Sequence, residues 1–292
     1  MRDFAGKTAF ITGGASGIGL GLARVFAEAG ANIAIADIEG PVLNGAVDQL
    51  KAEGANVIGV ECDVADRAAM DRAAERTVAA FGKVHLLFNN AGVARTGHIW
   101  QIAESDWEWT IGVNLMGMIH GLQIFVPHMK AHGEPSHIVS TSSMAGLRPS
   151  IAGGPYTATK YAMVGLSEVL ANELAGSNIG VSVFCPFQIR TNMPRNGRNR
   201  PARFGGPIDA KTDPHAAQHI ADMAARSQNA LDPKEAARRV KQGIENDQLF
   251  ILSDAKDRAP VEERFARIRA AFEAAAAPLN EPALTEGRRI LT

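Results

Sequence analysis

Cysteine is scarce. Of 292 residues only Cys62 and Cys185 carry a thiol, far apart and outside any paired ligand motif. Neither a disulfide scaffold nor a zinc site is indicated, and both read as small core residues. Net charge is also lacking: 30 basic side chains face 31 acidic ones, so there is no global electrostatic footprint for nucleic acid or an anionic membrane surface. No apolar run approaches the roughly 20 residues needed to span a bilayer. Residues 1–7 lack the apolar stretch of a secretory signal, so a cytoplasmic protein with no membrane partner is expected. Internal repeats and low-complexity linkers are absent too, which favours one domain with elaborations over two domains.

What is present is ordinary for a globular chain, with 46% hydrophobic and 21% charged residues. Short apolar runs alternate with helical patterns, the signature of βαβ units and a parallel sheet covered on both faces. Strands are expected at Thr8–Thr12, Asn32–Asp37, 56–62, 85–88, 137–141, 180–185 and 249–252, about seven in all. Helices are expected at 18–29, 42–53, Arg67–Phe81, 106–129, 156–174 and Pro233–Glu245, with an Ala-rich helix at 261–277. A Pro/Gly/Arg/Asn-rich connection at 190–232 is long enough for a substrate lid. The expected division is a dinucleotide-binding catalytic domain, 1–254, including that lid, and a C-terminal extension, 255–292.

The chemistry concentrates at the strand ends. Directly after the first strand, Thr12-Gly13-Gly14-Ala15-Ser16-Gly17-Ile18-Gly19 opens a helix, where glycines let backbone N–H groups approach a pyrophosphate. The next strand ends in Asp37, whose carboxylate can accept from both hydroxyls of an adenosine ribose and would repel a 2′-phosphate. No Lys or Arg lies in the glycine turn or just after Asp37. NAD is therefore expected over NADP. Tyr156 and Lys160 stand four apart on one helix face. A free tyrosine titrates at about 10, and a nearby ammonium favours its phenolate. Ser142 and Ser143 end the preceding strand at the same carboxyl edge, where open α/β sheets bind ligands.

These residues resemble the short-chain dehydrogenase/reductase family: the glycine turn, Asp63-Val64, Asn89-Asn90-Ala91-Gly92, Asn114, Ser143 and Tyr156 through Lys160 stand in the family's order and spacing. The resemblance runs from about Lys7 to Leu252 and implies a Rossmann-like doubly wound sheet and NAD-dependent oxidation of a secondary alcohol. It implies Tyr156 as general acid/base, Lys160 as the group that lowers its pKa and holds the nicotinamide ribose, Ser143 as the donor to the substrate oxygen, and Asn114 as the holder of a relay water. For the cofactor it implies Gly13, Ser16, Gly17, Ile18 and Gly19 at the pyrophosphate, and Asp37 at the ribose. Asp63 and Val64 would meet the adenine, Asn90 and Gly92 the adenosine ribose, and Ile189 and Thr191 the nicotinamide amide. Asn89 could merely stabilise its turn.

The family's common Pro-Gly after the sixth strand is here Cys185-Pro186-Phe187, so Phe187 adds a ring beside the reacting carbon. In the lid, Arg195, Arg198, Arg200 and Arg203 follow one another without an intervening acid. Such a run is usually solvated, but Arg195 is carried as a tentative substrate contact. Trp100, Trp107 and Trp109 fall in one stretch and read as helix packing or a subunit interface before substrate contact. His128/His132 and His215/His219 have four-residue spacing but no third ligand nearby, so no metal is expected.

Three strings, at 178–183, 199–205 and 263–265, resemble a branch that includes bacterial Cα-dehydrogenases of lignin-derived β-aryl ethers. A bulky benzylic alcohol is therefore the substrate class expected, acted on by a homodimer or homotetramer. NADH-dependent reduction of a ketone or 3-oxoacyl compound, or a non-catalytic NAD-sensing role, are the alternatives.

Overall fold

The computed structural model describes residues 1–209, 217, 221, 230–256 and 258–276. They form two compact units, Met1–Asp254 and Ala255–Thr292. In the first, seven strands make one parallel sheet in the order β3-β2-β1-β4-β5-β6-β7. They are β1 Thr8–Thr12, β2 Asn32–Asp37, β3 Val57–Glu61, β4 Leu86–Asn89, β5 Ser136–Thr141, β6 Ile179–Cys185 and β7 Phe250–Leu252. The helices are α1 Gly17–Glu28, α2 Gly40–Ala52, α3 Arg67–Phe81, α4 Glu104–Ile111, α5 Gly117–His132, α6 Gly154–Glu173 and α7 Pro233–Glu245.

Alternation along each strand sends side chains to opposite faces, and two cores result. Ala9 and Ile11 of β1 join Ile33 and Ile35 of β2 under α1, α2 and α7. Phe10, between them, faces the other way, with its ring 4.7 Å from Phe125 of α5. Helices start where local chemistry allows: Asp66 caps α3 by accepting from the Ala68 N–H at 2.9 Å, and Asp232 caps α7 through the Lys234 N–H at 2.8 Å. The strand order reverses between β1 and β4, and the crevice outside their carboxyl ends is where such sheets bind ligands.

The helix expected at 106–129 is three pieces. A π-helical turn, Gly112–Met116, separates α4 from α5 and holds the buried Asn114. A wide turn of this kind re-aims the side chains after it, which the 3.6-residue periodicity of the sequence does not reveal. Together these pieces form one continuous 29-residue helical run, Glu104–His132, long and apolar enough by length and composition to cross a bilayer. The sequence reading had found no apolar run of that length. Here Trp109, Phe125 and Met129 of the run are buried within the first unit, as in a core helix.

The second unit is described through α8, Arg258–Ala276, none of whose residues is buried. The expected helix at 261–277 begins three residues earlier, and residue 277 lies outside the described residues, as do His215, His219 and most of the expected lid beyond residue 209.

Candidate active site

The turn after β1 depends on its glycines. Gly13 (φ +62°) and Gly17 (φ +52°) adopt left-handed backbone, and a Cβ on Gly13 would stand 2.9 Å from the Ala91 Cα. A Cβ on Gly19 would collide with the Gly13 carbonyl. Ser16 is the N-cap of α1 without a side-chain capping bond, followed by Gly17 and Ile18 in a first turn that carries no acid. A glycine cradle opening onto a bare helix N-terminus fits a pyrophosphate.

Asn90 ties this turn to β4 and β5. Its amide donates to the Thr12 and Gly13 carbonyls at 3.0 and 3.3 Å and accepts from the Thr141 hydroxyl at 3.3 Å. Thr12, which the sequence reading left without a role, takes the N–H groups of Asn90 and Ala91 on its hydroxyl at 2.9 and 3.0 Å. Asn89, at the end of β4, is buried, and its side-chain amide makes no hydrogen bond among the described residues.

Asp37 ends β2 with one carboxylate oxygen on the Ala15 N–H at 3.0 Å and the other on the Glu39 N–H at 3.1 Å. Burial raises its pKa, and those two N–H groups oppose the rise. Its lone pairs can still accept from ribose hydroxyls. Asp63 accepts from the Ala65 N–H at 2.9 Å, and the carbonyl of Val64 is held by His120 Nδ1 at 2.9 Å.

The expected catalytic residues converge at the ends of β5 and α6. Ser143 accepts from the Ala145 N–H at 3.1 Å and hydrogen-bonds the Tyr156 hydroxyl. Lys160 is buried, with Nζ 5.4 Å from the Tyr156 ring centroid. It donates to the Thr141 carbonyl at 2.7 Å. Ser142 is structural, its hydroxyl donating to the Lys160 carbonyl at 2.8 Å.

Burial raises the Tyr156 pKa, opposed by the Ser143 hydrogen bond, and the expected lowering by Lys160 is not seen in this arrangement, in which the ammonium is turned to the Thr141 carbonyl. Burial also pulls Lys160 down to about 8. Cys185, beside them, is pushed up to about 12 by burial and is inert as a thiol.

The Asn114 side chain exchanges two hydrogen bonds with the Val93 backbone at 2.8 and 2.9 Å and donates to the Thr159 hydroxyl at 3.1 Å. It lies near Lys160, because a Cβ on Gly92 would sit 3.5 Å from the Asn114 Oδ1 and 3.7 Å from the Lys160 Nζ.

Beyond β6, the Phe187 N–H is anchored on the Ser253 hydroxyl at 2.8 Å. Ile189 packs on the core. Thr191 covers the glycine turn, its Cγ2 3.0 Å from where a Gly17 Cβ would be. Arg195 is exposed and makes no ion pair among the described residues. The other three lid arginines are not solvated as a free run but paired with acids of the body. Arg198 meets Glu39, Arg203 meets Asp63, and Arg200 meets the buried Asp106, which Arg95 also faces.

The tryptophans divide. Trp109 is buried in the core, while Trp100 is 80% exposed and stacked on His98. Trp107 lies near Gly154, close to Ile99. His128 and His132 cap a strand end rather than sit on the surface, with Nε2 of His128 accepting from the Val84 N–H and Nε2 of His132 donating to the Val84 carbonyl.

A family model described as short chain dehydrogenase matches residues 7–202. The "C alpha-dehydrogenase" of Sphingobium sp. is 40% identical over 269 residues, 92% of this chain and 87% of that one. The "(2S)-[(R)-hydroxy(phenyl)methyl]succinyl-CoA dehydrogenase" subunit of Thauera aromatica is 37% identical over 189 residues, 64% of this chain and 75% of that one. Among solved structures, a short chain dehydrogenase/reductase from Burkholderia phymatum in complex with NAD superposes with a TM-score of 0.88 at 36% identity, covering 97% of this chain and 100% of that one. With the sheet order, the glycine turn and the Ser143–Tyr156–Lys160 cluster in place, the chain belongs to the short-chain dehydrogenase family.

Proposed function

We propose that this protein oxidises a bulky benzylic secondary alcohol to the ketone with NAD, as a cytoplasmic homo-oligomer. The convergence of Ser143, Tyr156 and Lys160 beside an apolar rim carries the reading. The rim forms where Gly97 bridges to Gly153, which brings the loop carrying the exposed Ile99 and Trp100 to the start of α6, two residues from Tyr156, with Ile151 exposed just before it. A Cβ on Gly154 would lie 2.7 Å from the Ile99 Cγ1 and 3.6 Å from the Trp107 Cζ2. Apolar and aromatic surface at a cleft mouth suits an aryl substrate. The two relatives add weight, since one is named for Cα chemistry and the other's name carries a hydroxy(phenyl)methyl group.

NAD, when bound, supplies the acceptor for the hydride leaving the carbinol carbon. Ser143 orients the substrate hydroxyl and stabilises the oxygen as charge develops. Tyr156 takes the hydroxyl proton. Lys160, charged below about 8, favours the phenolate when its ammonium swings from the Thr141 carbonyl towards the ring. Asn114, near the Lys160 ammonium, would hold the water that returns the proton to solvent. Asp37 favours NAD by accepting from the ribose hydroxyls.

Tyr156→Phe tests this reading: turnover of an aryl secondary alcohol should fall by about 10³-fold or more, with NADH binding within a few-fold of wild type. Wild-type turnover in that variant refutes the assignment. Equal efficiency with NADP refutes the role of Asp37, and preference for small aliphatic alcohols refutes the substrate class.

A further inference from the structure

A run of arginines without intervening acids repels itself unless the body of the protein supplies counter-charges. Here the counter-charges stand on the loops that follow β2 and β3. Arg198 grips Glu39 with two prongs, Nε to Oε2 at 3.0 Å and Nη2 to Oε1 at 2.6 Å. The N–H of Glu39 is itself held by Asp37, the residue at the expected ribose site. Arg203 donates to the Asp63 Oδ2 at 2.6 Å while its guanidinium lies 4.6 Å over the Phe204 ring. A Cβ on Gly112 would be 3.4 Å from both the Phe204 Cζ and the Ala65 Cβ, so that ring borders the Asp63–Ala65 loop.

The same lid segment, with 3₁₀ turns at Met193–Asn199 and Ala202–Phe204, starts at Thr191 over the glycine turn. Asn196 pins it to the Ala94 carbonyl at 3.2 Å. It therefore passes the pyrophosphate, ribose and adenine positions in succession.

We propose that residues 191–204 form a latch over the adenosine half of the cofactor cleft, held by Arg198 and Arg203, so that the dinucleotide leaves only when both ion pairs open. This rests on the NAD reading above. Arg198 lies outside every string that carried a resemblance, Arg203 lies only in the 199–205 string, and the sequence gives no local sign of either partner. The latch makes release of the cofactor sensitive to salt, because both arginines are partly solvent-exposed.

The test is stopped-flow displacement: protein preloaded with NADH is chased with excess NAD at low and high KCl, for wild type, Arg198→Gln, Arg203→Gln, Glu39→Gln and the Arg198→Gln/Glu39→Gln pair. Salt should speed release from wild type. Each arginine variant should release NADH roughly threefold to tenfold faster with a weaker salt response, the scale of a partly exposed two-pronged ion pair. Glu39→Gln should match Arg198→Gln, and the pair should add nothing further. Release at the wild-type rate from both arginine variants overturns the latch, as does multiplication of the Arg198 and Glu39 effects. Failure of wild type to bind NADH at all overturns the cofactor reading instead, so the two failures are distinct.

Discussion

Asp106 is the sharpest place to perturb this molecule. Its carboxylate, 7% exposed, stands 3.2 Å from the Arg95 Nε and 3.0 Å from the Arg200 Nη1, whose side chains are 14% and 10% exposed. Arg200 also donates to the Ser105 hydroxyl at 2.7 Å, so this cluster holds the lid segment to α4. Asp106→Asn keeps the shape and removes the buried negative charge that both guanidiniums face. Breaking a buried pair in this way costs about 3–5 kcal/mol. At roughly 2–3 °C per kcal/mol for a domain of this size, the melting temperature should fall by about 6–15 °C.

Thermal and urea unfolding followed by circular dichroism would measure this. Replacing the whole cluster, Arg95→Leu with Asp106→Leu and Arg200→Leu, should restore most of the loss, because all three charges then leave the buried position. A loss below about 1 kcal/mol in Asp106→Asn would refute the reasoning, as would a triple variant less stable than the single one.

Lys160 predicts a conflict between stability and function. Its pKa falls from 10.5 to about 8 on burial, so below pH 8 the fold carries a charge it disfavours, and stability should rise with pH between about 8 and 10.5. Lys160→Met should abolish turnover and raise the melting temperature at pH 7 by a few degrees, since the relief of about 3 kcal/mol is partly offset by the orphaned Thr141 carbonyl. That difference from wild type should shrink above pH 8. His137 acts at the acid end. Its Nε2 donates to the Ser182 hydroxyl at 2.8 Å while Nδ1 is buried with no hydrogen-bond partner among the described residues, and burial lowers its pKa from 6.5 to about 3. The unfolded chain takes up the proton near 6.5 and the folded one resists, so stability is full above pH 6.5 and is lost as pH falls, by up to about 4–5 kcal/mol at pH 3. His137→Gln should flatten that acid limb in urea titrations, and an unchanged limb would count against it.

The chain's local patterns determined its order of strands and helices, the glycine turn and the place of Tyr156, Lys160 and Ser143. Alternating apolar runs and turn glycines act over a few residues, and a four-residue helical spacing places two side chains together by itself. Only the tertiary structure decided the rest. The π turn at Gly112–Met116 and the commitment of Asn114 to Val93 depend on packing between distant elements. Three adjacent-looking tryptophans met different fates because only one faces the core. The lid arginines, read as a run without partners, are separated from their carboxylates by 159 residues for Glu39 and 140 for Asp63. Coulomb attraction depends on distance in space, and the sheet order, not sequence spacing, brings those charges within reach.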